Sequence, residues 1–289
     1  MSNQITEAFV QQFADNFKHV AQQTQSRLER CVSIESGIRG MSKSINFLGQ
    51  RTAQRRLVRH GDTPINDQIH GTRYVDLYDW EDGDMVDDQD KIRMLVDPSS
   101  DYVKAMVQSF NRSKDDVIIA AMGGNSRSTV GNVALPNTQK IAVNASGLTK
   151  AKIIQAKKLF RRNEADGHNG EELFITYSAQ AAADVLADTT LTSADFIAAK
   201  FLEQGDIEGR WMGFTWIPIE RTPLVGTTRS LYAWAKSGVT LGIGEDTTTK
   251  VGEDPGKGFN VRIYGKQSIG AVRSEEVKVV QIDVLDNNN

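Results

Sequence analysis

Cysteine and long hydrophobic segments are scarce in this sequence. Cys31 is the one cysteine among 289 residues, which excludes an intrachain disulfide and a zinc site made of several thiolates. No apolar run approaches the roughly 20 residues that cross a bilayer, and the polar start MSNQITEAF does not have the basic and then apolar pattern of a secretory signal. We therefore expect a cytoplasmic product without a membrane segment, stabilised by packing and association.

Excess charge of one sign is also missing. The formal net charge is -3, so the chain does not have the basic character of a general nucleic-acid binder, and contact with nucleic acid is expected to be local and non-specific. The hydrophobic fraction of 39% and the charged fraction of 25% are typical of globular proteins. A length of 289 residues predicts one or two domains with a sizeable core.

Catalytic and cofactor-binding motifs are absent as well. The four histidines have neither H-x-x-x-H nor H-E-x-x-H spacing, and no G-x-S-x-G elbow is present. The stretches GEDPGKG (252–258) and GIGED (242–246) do not have the spacing of a Walker loop or of a dinucleotide-binding turn. The sequence predicts no catalytic residue and no cofactor, although a triad assembled in space around a serine or Cys31 stays open as an alternative.

The acidic stretch YDWEDGDMVDDQDK (78–91) raises the question of a cation site. From Asp82 onward its glycine comes too early for a calcium loop, and Arg93 stands where that loop has its glutamate. A magnesium site made from Asp82, Asp84 or Asp87 stays open as an alternative. Charge runs are more often solvated or paired with a surface of opposite sign, and we therefore predict no metal ligand here.

A segment of opposite sign precedes this stretch. The segment RTAQRRLVRH (51–60) has four arginines, whereas residues 76–90 have eight acids. On an extended loop these charges can meet opposite charges of neighbouring copies, where they set the register of assembly more than they add affinity. The predicted intersubunit contact residues are Arg51, Arg55, Arg56, Arg59, Asp79, Glu81, Asp82, Asp84, Asp87 and Asp88.

Periodicity predicts a mixture of helices and strands with one long helix. Asp97 and Pro98 form a helix start, and an apolar stripe continues to Gly123 and Gly124, which gives about 25 residues and a rod of roughly 37 Å. The last two predicted strands are expected to return to this helix. Further helices are predicted at 149–163, 179–186 and 193–202, and strands at 173–177, 210–219, 230–243, 259–263 and 280–284.

The order of these parts resembles that of a tailed-bacteriophage major capsid protein with the Hong Kong 97-like fold. That order is an amphipathic N-terminal segment, a charged hairpin, a long helix, a glycine-rich loop, a mixed domain and returning strands. Several segments are also similar to those of one group of these capsid proteins, and together they cover nearly the whole chain. They are ITEAFVQQFADN, RHGDTP, DDQDKIRMLVDPSSDYV, DDVIIAA, LTSADF, AKSGVTLGIGED and SIGAVR.

The resemblance implies an α+β fold whose parts can be assigned along the chain. These are an N-arm at 1–46, an E-loop at 47–80, a P-domain with the spine helix and the glycine-rich loop at 81–147, an A-domain at 148–243, and the connection with the returning P-domain strands at 244–289.

The resemblance also implies a structural function without enzymatic activity. The protein is expected to self-assemble into the hexamers and pentamers of an icosahedral phage head around double-stranded DNA, and so to reside in the virion after assembly in the host cytoplasm. A separate scaffold protein, a portal and a cement protein are the implied partners. No lysine occurs between Ser44 and Asp90, so an isopeptide crosslink from the E-loop is not expected. The alternatives are a cellular nanocompartment shell of the same fold and a magnesium-dependent hydrolase that uses Asp82, Asp84 and Asp87.

Overall fold

The computed structural model describes residues 22–55, 58–59, 65–86, 99–187, 207 and 209–286. Three α-helices lie in these ranges: α1 (Ser99–Gly123), α2 (Lys150–Arg162) and α3 (Ala179–Ala187). They confirm three of the predicted helices, including the long one. None of the described helices is long and apolar enough to cross a membrane. The helix predicted at 193–202 lies outside the described residues.

Fifteen strands lie in the same part of the chain, as expected for an α+β architecture. In chain order they are β1 (Ser33–Ser36), β2 (Ser42–Leu48), β3 (His70–Asp76), β4 (Tyr78–Val86), β5 (Ser126–Ser128), β6 (Gly131–Val133), β7 (Lys140–Ile141), β8 (Leu173–Tyr177), β9 (Arg210–Trp211), β10 (Phe214–Pro218), β11 (Leu224–Val225), β12 (Thr228–Ala235), β13 (Val239–Asp254), β14 (Asn260–Arg273) and β15 (Val279–Leu285).

The strands form three sheets. Two of them have four strands, in the orders β1-β13-β14-β4 and β2-β3-β5-β6. The third has seven strands in the order β7-β15-β12-β8-β10-β9, with β11 paired to β12.

The described residues cluster into two compact units, and each of α1, β4, β13 and β14 contributes residues to both. In the first unit, Met106 and Phe110 of α1 pack with Val86 of β4 and Ile263 of β14 in a small core. The first unit consists of residues 22–25, 79–86, 99–113 and 245–268, and the second unit consists of the other described residues.

The seven-stranded sheet of the second unit is buried on both faces. Leu231 and Ala233 of β12 pack into a cluster with residues of α2 and α3, whereas Tyr232 and Trp234 pack into a cluster with residues of α1. Successive side chains of a strand point to opposite faces, so each face receives alternate residues. Coverage of both faces explains why β12 contains the continuous apolar run LYAWA rather than an apolar and polar alternation.

A buried carboxylate on α1 holds the segment that leads into β1. Asp115 is fully buried and accepts hydrogen bonds from the Ser26 hydroxyl at 2.6 Å and from the main-chain N–H groups of Arg27 at 3.0 Å and Leu28 at 3.1 Å. Charge-assisted hydrogen bonds of this kind are stronger than neutral ones, and the three donors would otherwise be costly to bury. The course of residues 26–28 is therefore tied to the helix.

Arg273 of β14 closes the C-terminal end of α1. The residue is fully buried, and its guanidinium donates to the carbonyl oxygens of Met122 at 2.9 Å, Gly124 at 2.7 Å and Val133 at 2.9 Å. The last carbonyls of a helix have no intrahelical donor, so this side chain supplies what the helix end lacks. One side chain thereby joins the helix, β6 and β14.

Two predicted strands are interrupted. The strand expected at 210–219 is the pair β9 and β10, joined by Met212 and Gly213 with φ of +50° and +82°, which is the backbone of a tight hairpin turn. The strand expected at 230–243 is broken by a short 3-10 turn at Lys236–Gly238. Its two halves, β12 and β13, consequently join different sheets.

The two C-terminal strands lie in different sheets, but both return to the long helix as predicted, since Ile269 of β14 and Val279 of β15 pack in the cluster that contains residues of α1. β14 lies beside β13, to which a short turn at Pro255–Lys257 connects it. β15 instead pairs antiparallel with β12 over seven residues. Its alternating residues Val280, Ile282 and Val284 are buried in the cluster with α2 and α3, which fixes the register of this pairing.

Replacement of Arg273 by methionine is expected to lower the free energy of unfolding by about 3 kcal/mol, because one buried and two half-buried carbonyl groups lose their donor. Chemical denaturation of the protomer, followed by tryptophan fluorescence, measures this change. The exposed Arg39→Met is the control and should alter stability by less than about 0.5 kcal/mol. Equal effects of the two substitutions would show that Arg273 does not support the fold.

Candidate intersubunit surfaces

The predicted arginines belong to the connection between β2 and β3, whose two limbs stay together beyond the strand ladder. β2 pairs antiparallel with β3 through all seven of its residues. Past the ladder, the Asn66 side chain donates to Thr52 O at 3.0 Å, and Asn66 O accepts from Arg51 Nη2 at 3.0 Å. Asn66 therefore links the outgoing and returning limbs.

Three of the four predicted arginines are exposed on these limbs. They are Arg51, Arg55 and Arg59, and Arg56 lies outside the described residues. Within the described ranges, these three arginines form no ion pair with a carboxylate of their own chain. Their positive charge is thus not neutralised by a described acid.

Large apolar side chains are exposed on the same hairpin and its limbs. Ile65 is 91% exposed, Ile69 is 70% exposed and Leu48 is 66% exposed. Removal of apolar surface from water is worth roughly 25 cal/mol per Å², so a partner that covers these residues gains stability. Exposed apolar residues beside arginines are typical of protein–protein interfaces.

The described acids lie on β4, the terminal strand of its four-stranded sheet. Asp79, Glu81, Asp82 and Asp84 are all exposed and belong to the first unit, whereas the arginines belong to the second. Charged side chains on a terminal strand discourage uncontrolled pairing of its free edge. Asp87 and Asp88 lie outside the described residues.

The acids of β4 are divided between its two faces. Asp79 and Glu81 line a cavity of about 260 Å³ together with Tyr264. The Tyr264 hydroxyl donates to Glu81 at 2.9 Å, and this hydrogen bond raises the pKa of Tyr264. Strand alternation places Asp82 and Asp84 on the opposite face.

The arrangement of these carboxylates gives the magnesium alternative no support. In the part of the chain that the structure describes, no group of three or more histidine, cysteine, aspartate or glutamate side chains is placed to hold a metal ion. Asp82 and Asp84 are instead exposed and separated along one strand.

A second cationic surface, which sequence reasoning missed, lies on α2. The signal in the sequence is KKLFRR (157–162), where two pairs of cations are four residues apart and therefore on one side of a helix. A groove of about 530 Å³ is lined by Ile154, Lys157, Lys158, Arg161, Arg162 and Met212.

Comparison with known proteins assigns this architecture. A family model described as "Phage capsid protein" matches residues 5–286. Among solved structures, the capsid asymmetric unit of cyanophage Pam1 has a TM-score of 0.74 at 13% identity, covering 98% of each chain. A chain from Mycobacterium phage Che8 has a TM-score of 0.73 at 16% identity, covering 95% of this chain and 97% of that one. The mature capsid of bacteriophage PhiM1 has a TM-score of 0.70 at 12% identity, covering 97% and 93%.

These matches confirm the fold class that the sequence predicted. At such low identity the solved structures show the fold, while the family model covers nearly the whole chain. A search of curated proteins found no match.

Cys31 is predicted to be unreactive at neutral pH. Burial raises the pKa of its thiol to about 11, although the nearby Lys236 opposes the shift. At pH 8 only about one molecule in a thousand would then carry the reactive thiolate, so alkylation by iodoacetamide should be about a hundredfold slower than for a free cysteine. Intact-mass spectrometry measures the rate, and the same protein in denaturant is the control. Rapid labelling of the folded protein at pH 8 would contradict the burial of this thiol.

Proposed function

Because this chain belongs to the phage capsid protein family, we propose that it self-assembles into the hexamers and pentamers of an icosahedral head that encloses double-stranded DNA. The chain is a structural capsid protein with the Hong Kong 97-like fold. The observation that carries the proposal is the family match across residues 5–286, which leaves little of the chain for another activity. Its work is assembly rather than catalysis, without a cofactor.

The described elements support a division of the chain into the parts of such a subunit. The β2–β3 hairpin with its linked limbs supports an E-loop at 47–80, after an N-arm at 1–46. The 25 residues of α1 support a spine helix in a P-domain at 81–147. The helices α2 and α3 on the seven-stranded sheet support an A-domain at 148–243. The final part, 244–289, supplies β14 to one sheet and β15 to another.

The chemistry of the exposed residues supports contacts between copies. The arginines of the E-loop limbs face carboxylates of a neighbouring copy, and the acids from Asp79 to Asp88 face cations of a neighbouring copy. The exposed apolar residues beside the arginines supply the buried area, and the charges supply the register. A shell held in this way is noncovalent, consistent with the absence of lysine between Ser44 and Asp90.

Other components complete the particle in this proposal. A separate scaffold protein guides assembly, a portal occupies one vertex and a cement protein strengthens the shell. The DNA is contacted non-specifically, since a net charge of -3 provides no general affinity for phosphate. Assembly takes place in the host cytoplasm, and the protein ends in the virion.

Negative-stain electron microscopy of the purified full-length chain tests the proposal. Closed shells are expected when the chain is produced together with the other head components, and nuclease-protected double-stranded DNA is expected in complete particles. Shells that enclose an enzyme instead of DNA would favour a nanocompartment. A chain that stays monomeric under all conditions would refute assembly, whereas correct shells from the chain alone would refute only the separate scaffold.

Reversal of two hairpin charges, Arg51→Glu with Arg55→Glu, is expected to reduce the yield of shells at least about tenfold, because like charges then meet across the interface. Circular dichroism should show a folded protomer, since both side chains are exposed and only the hydrogen bond from Arg51 to Asn66 O is lost. The matched control is Arg39→Glu with Lys140→Glu, which makes the same change in net charge at two other exposed positions. Normal shells from the first variant would show that these arginines are not contact residues.

A further inference from the structure

Helix α2 presents an apolar residue followed by two pairs of cations along one side. Ile154 is 49% exposed, and the pairs Lys157–Lys158 and Arg161–Arg162 follow it at helical spacing. The opposite side of the helix is buried through Phe160 and its neighbours. At about 1.5 Å per residue, the stripe from Ile154 to Arg162 is about 12 Å long.

Met212 adds a second apolar side chain to the lining of this groove. It occupies the two-residue turn between β9 and β10, where its φ of +50° lies in the left-handed region. A residue other than glycine is strained in that conformation, and such strain is concentrated at functional positions. The turn thus holds a thioether side chain against the cationic stripe, at a position where glycine would be less strained.

The charge of the stripe is only partly neutralised by its own chain. Arg161 Nε lies 4.0 Å from the carboxylate of the buried Asp166. Within the described ranges, Lys158 and Arg162 form no ion pair, and both are exposed. A partner with carboxylates can therefore add ion pairs here without displacing existing ones.

Lys157 is partly buried and has other cations nearby. Its ammonium lies 5.3 Å from the centre of the Phe214 ring. Burial lowers the pKa of Lys157, Asp166 opposes that shift, and the neighbouring cations Arg210 and Arg161 add to it. An acidic partner would relieve this repulsion.

The shape of the groove favours an acidic peptide strand over a nucleic acid. Duplex DNA is held mainly through cations and hydrogen-bond donors that reach its phosphates. Such a contact would leave Ile154 and Met212 uncovered in a concave space of about 530 Å³. A strand that carries an apolar side chain beside carboxylates can fill that space and pair with the cations.

A strand of matching composition and spacing occurs in this chain. Trp80, Asp82 and Asp84 of β4 share one face by alternation, and Trp80 is 38% exposed. At about 3.3 Å per residue, the distance from Trp80 to Asp84 is about 13 Å. One apolar residue followed by two acids therefore matches one apolar end followed by two cation pairs in sequence and in length.

We infer that the α2 groove of one copy receives Trp80, Asp82 and Asp84 from β4 of a second copy. Trp80 packs against Ile154 and Met212, and the two carboxylates pair with the cations. The inference rests on the proposed self-assembly and names the partner of Asp82 and Asp84. Because groove and strand are different surfaces, the contact is heterologous, and its repetition closes into rings or extends into arrays.

A charge-swap experiment on the full-length chain tests this contact, with shell yield measured by sedimentation and electron microscopy. Lys158→Glu with Arg162→Glu, and separately Asp82→Lys with Asp84→Lys, should each lower the yield at least about tenfold. The combination of all four substitutions should restore the yield to within about threefold of the original chain, because the charges are again complementary. Circular dichroism checks that each protomer is folded.

The pattern of rescue decides between partners. Restoration of the Asp82→Lys, Asp84→Lys chain by Arg51→Glu with Arg55→Glu, rather than by the groove substitutions, would assign the acids to the hairpin arginines and overturn the groove contact. Rescue by neither pair would also overturn it, as would an equal loss in the control Arg39→Glu with Lys140→Glu. If the unsubstituted chain formed no shells under any condition, self-assembly itself would be refuted.

Substitution of Met212 by glycine separates docking from folding. Glycine accepts φ near +50° without strain, which offsets the loss of the Met212 packing against the core, so the midpoint of thermal unfolding should change little. One of the two apolar side chains that line the groove is lost at the same time, so the yield of shells should fall severalfold. A full yield of shells from Met212→Gly would show that the groove is not where a second copy docks. Retention of DNA in a filter-binding assay that is lost on Lys158→Glu with Arg162→Glu would instead assign the groove to nucleic acid.

Discussion

A guanidinium group that is fully removed from water must find acceptors, and Arg273 finds three in main-chain carbonyls. Two lie where α1 ends, and the third lies on β6. These hydrogen bonds fix the end of the long helix and the hairpin of β5 and β6 to β14. Asp115 performs a similar task earlier on the same helix, so α1 is positioned by buried charge as well as by its apolar stripe.

Charged and apolar side chains that the folded protomer does not bury remain on its surface. Arginines and apolar residues remain exposed on the hairpin limbs, acids remain on the terminal strand β4, and cations remain in the α2 groove. The net charge is small because the chain has nearly equal numbers of basic and acidic residues, 34 and 37, although these patches keep the two signs apart. Segregated charge with exposed apolar surface is the arrangement that association with further copies requires, since opposite patches then specify which surfaces meet.

Sequence periodicity predicted the elements better than their partners. The stripe of α1 gave a helix that agrees with Ser99–Gly123 to within a residue at each end, and α2, α3 and β8 were also expected. Pairing between distant strands was not predictable, because alternation shows that a strand has a buried face but not which sheet buries it. The strands β14 and β15 illustrate this, since both alternate and they join different sheets.

The sequence by itself determined the long helix, the acidic and basic stretches, the lack of disulfide and motif chemistry, and the resemblance to phage capsid proteins that the family match bears out. Only the tertiary structure decided which charges are buried and which are exposed. Nothing in the sequence distinguishes Arg273 from Arg162, yet Arg273 is buried at a helix end and Arg162 lines an open groove. The groove is also lined by Met212, which lies fifty residues beyond the end of α2. Such contacts between distant segments arise only when the chain folds, so local sequence patterns do not predict them.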